Sequence, residues 1–120
     1  MNIENVVDIF SHLSSLTAED ILKFRFMCEN AMDNVNSYLK KNINTSDYDG
    51  RLCFAAATLA YYRYVLWTLT EGGNGEVKMG DFSVKPVASS QLDAAAKLCE
   101  GAFDAIKEIT NDIGFVFERI

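Results

Sequence analysis

DGRLCFAAATLAYYRYVLWTLT, residues 49–70, is the stretch on which the reading of this chain turns. After Arg51 its one charge is Arg63, and its apolar residues do not keep to a single stripe. Leu52, Ala55, Ala56, Leu59, Leu66 and Leu69 recur at helical spacing, while Cys53, Phe54, Tyr61, Tyr64, Val65 and Trp67 fill most of the remaining arc. A helix that is apolar nearly all round is buried by neighbours on several sides. The sequence therefore predicts a central helix over about residues 48–70, ended by the glycine-rich EGGNG of residues 71–75.

The segments before it supply two of those neighbours. A short helix is expected over residues 3–13, with Ile3, Val6, Val7 and Phe10 on one side. A longer one is expected over 18–41: Thr17 is placed to cap it, and Glu19 and Asp20 put negative charge in its first turn. Leu16 and Ile21 stand at the positions of a hydrophobic staple. Ile21, Phe24, Cys28, Ala31, Val35 and Tyr38 then step by threes and fours as one apolar seam, widened by Leu22, Met27, Met32 and Leu39. Thr45 and Ser46 are the expected caps of the central helix.

Beyond residue 75 the period changes from helical to two. In EVKMGDFSVKP, Val77 and Met79 alternate with Lys78, and Phe82 and Val84 with Ser83, around a Gly80–Asp81 pair suited to a type II′ turn. A β-hairpin over about 76–85 is expected, with Met79 opposite Phe82 and Val77 opposite Val84, all four on one face. A last helix follows over about 91–111, its inner stripe Leu92, Ala95, Cys99, Ala102 or Phe103, Ile106 and Ile109. Gly101 in its middle suggests a close helix crossing. Phe115 and Phe117 alternate with Val116 in a short extended tail, about 115–119, suited to joining the hairpin or docking on a neighbouring subunit. The expected fold is mainly α: one domain over residues 1–120, a helical bundle of three main helices plus a short N-terminal one, an inserted hairpin and an extended tail.

Composition narrows the function. With 49% apolar and 23% charged residues the chain reads as an ordinary folded protein. Its formal net charge of −6, without a Lys/Arg run, lacks the footprint of a protein that grips phosphate backbones, so sequence-specific nucleic-acid binding is not expected. Three scattered cysteines, Cys28, Cys53 and Cys99, suit buried free thiols in a reducing cytoplasm. No membrane span is expected, because Arg63 interrupts the central run. His12 is the one histidine, and there is no His pair for zinc and no Glu-x-x-His for a di-iron site. EGGNG lacks the Gly-Lys-Ser/Thr of a phosphate loop. Neither an enzyme, a cofactor nor a metal is expected.

The aromatic group Tyr61, Tyr62, Tyr64 and Trp67 belongs to core packing or to an interface, where Tyr, Trp and Arg are enriched. Consecutive tyrosines on a helix cannot all face one core. Arg63, if buried, needs an acidic partner in this chain or the next.

The order of parts resembles a known family. A capped helix led by LTAEDI, a helix reading AAATLAYYRYVL, the hairpin KMGDFSVKP, a Ser-started Ala-rich helix and a closing DIGFVFERI are together similar to the small head–tail connector, or neck, proteins of tailed bacteriophages and prophages. The likeness covers residues 16–120 and leaves 1–15 outside it. It implies a non-enzymatic virion subunit that forms a ring and meets portal or tail proteins, made in the cytoplasm of a bacterial host. By that analogy Val77, Met79, Phe82, Val84, Phe115 and Phe117 contact neighbouring subunits, with Tyr61, Tyr62 and Trp67 next. The competing reading is a small bacterial helical adaptor or regulator that binds a single protein partner.

Overall fold

A computed structural model describes residues 1–69 and 89–111. Among these it is mainly helical, with α1 (Ile3–Ser14), α2 (Ala18–Tyr38), α3 (Asp49–Trp67) and α4 (Ser89–Asp104), and short 3₁₀ turns at Ser46–Tyr48 and Lys107–Ile109. The expected hairpin at 76–85 and tail at 115–119 lie outside the described residues.

The central helix is α3. Leu52, Cys53, every residue from Ala55 to Ala60, Tyr62 and Val65 are buried, and α1, α2 and α4 all pack against it. This is the physical outcome of a helix with no polar face: it gains most when covered from several directions. Four buried alanines, Ala55, Ala56, Ala57 and Ala60, present little more than backbone and let the covering helices come close. Larger side chains fill the space between them, including Phe10 from α1, Val35 from α2, Leu59 from α3 and Ile106 beyond α4. Each such side chain contributes about 1.5–3 kcal/mol by leaving water.

The ends of the helices follow local chemistry. Asn2 caps α1 by accepting from the Glu4 N–H at 2.7 Å. Ser15 closes α1 in the left-handed region (φ 59°), its N–H donating to Ser11 O. Thr17 caps α2 as its position suggests, its hydroxyl accepting from the Asp20 N–H at 3.2 Å. Ile21 enters the core and Leu16 packs against it. The start of α3 differs from expectation. Neither Thr45 nor Ser46 caps it by a side chain; a 3₁₀ turn leads in, and Asp49 opens the helix facing the Met1 α-amino group at 3.0 Å.

Two helices are shorter than the sequence suggests. The helix expected over 18–41 stops at Tyr38, because Leu39 turns extended (ψ 144°) and pairs in an antiparallel bridge with Thr110. Lys40 and Lys41 therefore lie past the helix rather than in its last turn. The helix expected over 91–111 starts at Ser89 and ends at Asp104, and Ile106 and Ile109 reach the core from the turn that follows. Lys40 N–H donates to Ile109 O at 2.9 Å, and Asn111 N–H to Tyr38 O at 2.8 Å. These two bonds clasp the end of α2 to the chain leaving α4, and the Tyr38 and Phe103 rings meet edge-on at 6.2 Å beside them. The central helix, expected over 48–70, runs from Asp49 to Trp67 and passes into a wider turn at Thr68 and Leu69.

Two side-chain expectations are also corrected. Gly101 marks no close crossing, since it is exposed and a Cβ there meets nothing within 4 Å. Leu22 does not widen the α2 seam; it is 72% exposed. No described helix is long and apolar enough to cross a membrane.

Candidate interaction surface

The last two turns of α3 carry the aromatic candidates, and the structure sorts them. Tyr62 is 3% exposed and packs with Val65 against Ala95 of α4. It belongs to the interior, which removes it from any outer face of the chain. Tyr61 is half-buried at the margin of the core. Tyr64 is half-buried as well, edge-on to Phe10 of α1 (6.0 Å) and to Phe24 of α2 (4.9 Å). Burial pushes its phenol pKa up.

Trp67 is different. Its ring stands edge-on to Phe24 at 5.4 Å, yet the residue is 39% exposed. Phe10, Tyr64, Phe24 and Trp67 thus form a chain of edge-on rings through three helices, whose last member opens to solvent. Just past it, the Thr68 hydroxyl donates to Val65 O at 2.7 Å, and residues 68 and 69 form a π-type turn. Such turns are frequent at functional positions.

Arg63 lies one turn before Trp67 on the same helix face. It is half-buried and forms no ion pair with any described residue. Arg25 of α2 is paired at the surface: it reaches Glu4 at 3.0 Å and Glu29 at 3.3 Å, and the Glu4 hydrogen bond is the largest cause of its raised pKa. Arginine and tryptophan, here four positions apart near the end of α3, are residue types that dominate binding energy at protein interfaces. Val77, Met79, Phe82, Val84, Phe115 and Phe117 lie outside the described residues.

Sequence reasoning missed a second apolar surface. Leu22 and Phe26, 72% and 53% exposed, sit one turn apart on the outward face of α2. Exposed Glu19, Glu29 and Asp33 share that face. The signal was present: Leu22 and Phe26 are four apart and out of phase with the Ile21–Cys28–Val35 seam. Two large apolar residues in register on an outward face mark a contact surface better than either alone.

Groups with reactive potential are placed for packing. Cys28 and Cys99 are fully buried, and desolvation pushes each thiol up to about 12. Cys53 is also buried, with no disulfide among the three. His12 is exposed in the last turn of α1, its Nδ1 2.8 Å from Asp8 O. No group of His, Cys, Asp and Glu among the described residues is arranged to hold a metal ion.

No protein-family model matches this chain, and no curated protein or solved structure matches it significantly.

Proposed function

We propose that this chain is a non-enzymatic assembly protein, a head–tail connector-like subunit of a phage or prophage particle that associates with itself into a ring. The observation that carries the reading is the end of α3. Trp67 is 39% exposed there, one turn past a half-buried Arg63 that has no carboxylate partner among the described residues. A guanidinium in that setting gains from an acidic group on a neighbour, and the adjacent indole supplies a large apolar anchor. The sequence order from LTAEDI to DIGFVFERI adds the likeness to connector proteins. In this reading Tyr61 borders the contact, and Val77, Met79, Phe82, Val84, Phe115 and Phe117 extend it to neighbouring subunits and to portal or tail proteins.

Native mass spectrometry over a concentration series tests it. The expected result is a ladder ending in a large closed species, alone or on addition of a portal protein. Trp67→Ala is expected to weaken association by about 2 kcal/mol, about thirtyfold. Phe82→Asp and Phe117→Asp are expected to prevent it while the helical circular dichroism persists. A monomer throughout, with or without a portal protein, would sink the ring and leave the single-partner adaptor.

A further inference from the structure

The outward face of α2 combines an apolar pair with unbalanced charge. Leu22 and Phe26 stand one turn apart on it, each more than half exposed. The same stripe runs on through Glu29 to Asp33, and Glu19 lies one turn before Leu22. The two cations beside the pair are already engaged: Lys23 faces Asp20 at 3.4 Å, and Arg25 holds Glu4 at 3.0 Å and Glu29 at 3.3 Å. Glu19 and Asp33 pair with no cation among the described residues. Two uncompensated carboxylates thus bracket Leu22 and Phe26, about 21 Å apart along the helix.

The charges decide what kind of occupant suits this face. A second copy suits it badly. In the antiparallel two-fold pairing that lays Leu22 on a second Phe26, Glu19 falls opposite a second Glu29 and Lys23 opposite a second Arg25. In a parallel pairing each residue meets its own copy, so Glu19, Glu29 and Asp33 all meet carboxylates. Like charge meets like in both, on chains that each carry a net charge of −6. Two side chains are also far less than the roughly 800 Å² per partner of a stable globular interface, whereas an amphipathic helix anchors through a few such positions.

We propose that the outward face of α2 docks an amphipathic helix of a second, basic protein. Large apolar side chains of that helix, three or four positions apart, lie over Leu22 and Phe26, and Lys or Arg toward its ends meet Glu19 and Asp33. The apolar pair holds the partner, while the carboxylates select it and speed its encounter. The surface is separate from the end of α3, so it is a second contact beyond any the chain makes with its own copies.

A designed peptide tests this. It has about eighteen residues, alanine-rich, with Leu and Phe four apart at its centre and lysine near both ends, and is titrated into the isotope-labelled full chain to about 1 mM. The expected result is saturable movement of the Leu22 and Phe26 amide resonances, with binding weakened about tenfold by Phe26→Ala or by glutamate in place of the peptide's lysines. Glu19→Gln with Asp33→Asn is expected to erase the difference between the two peptides and most of the salt dependence. Glu19, Phe26 and Asp33 are all exposed, so these variants leave the core intact. Equal binding of the lysine and glutamate peptides, resonances that move only elsewhere, or no movement would each overturn the proposal. Leu22 and Phe26 resonances that shift with protein concentration alone would assign the face to a second copy and overturn it as well. Native mass spectrometry of Phe26→Ala is expected to match the parent chain, and a ring lost there would count against a separate surface. A chain that never forms rings can still bind the peptide, so failure here and failure of the ring reading are distinct results.

Discussion

At the scale of single residues, the buried thiols and one glycine make the sharpest claims. Cys28 and Cys99 are wholly out of water, and burial raises both thiols to about 12. The folded chain therefore holds these protons more tightly than the unfolded one. Their contribution to stability is complete below the ordinary thiol range, near 9, and is lost as pH rises through about 12. Chemical denaturation at stepped pH is expected to show stability falling over that window, by up to about 1.4 kcal/mol per pH unit for each thiol. A thiol-reactive dye at neutral pH is expected to label none of the three cysteines until denaturant is added. Gly101 points the other way. It is helical, exposed and free of neighbours where a Cβ would go. Gly101→Ala is expected to stabilise the chain by about 0.5–1 kcal/mol, read as a raised urea midpoint.

At the scale of elements, α3 shows what the sequence could and could not say. Its burial from more than one direction was legible because no arc of the helix is polar, and the α2 seam was legible because its threes and fours never break. Thr17 was legible as a cap because its hydroxyl acts on an N–H three residues away. The ends of α2 and α4 were not legible. Leu39 and Thr110 are 71 positions apart, and each gives up helix for a pairing that only the tertiary structure brings about. Tyr62 and Trp67 differ in exposure for a similar reason: α4 covers one and not the other, and helical periodicity does not say where a neighbour stops. Leu22 was read into the α2 seam because it is apolar and next to Ile21, but it faces away from the core, as Phe26 does. The alanines make a prediction of their own. Ala56 is fully buried, so Ala56→Leu is expected to cost about 1–3 kcal/mol by overpacking, measured by thermal or urea unfolding.

At the scale of the whole molecule, the helices cover α3 from two directions, α1 and α2 joined by Arg25–Glu4 and α4 tied back through the clasp. Trp67 meets Phe24, near the start of α2, while Asn111 meets Tyr38, at its end. These two contacts are about fourteen helical residues apart, roughly 21 Å along α2. Lys40→Pro removes the N–H that holds Ile109, and Leu39 already has the extended backbone a following proline requires. It is expected to lower stability by about 1–3 kcal/mol, with Lys40→Ala close to neutral; equal urea midpoints for the two variants would show that the clasp contributes nothing.

The clasp also settles how the molecule bears a load. Tension applied to the chain beyond Asn111 reaches the backbone of α2 at Tyr38 as soon as it reaches α4, because main-chain hydrogen bonds join the two there. From α2 the force passes through the apolar seam into α3, so the pull is shared across the bundle instead of peeling α4 away. Since both bonds use backbone atoms alone, this path survives replacement of nearly any side chain at positions 38, 40, 109 and 111. Proline at a donor position breaks it.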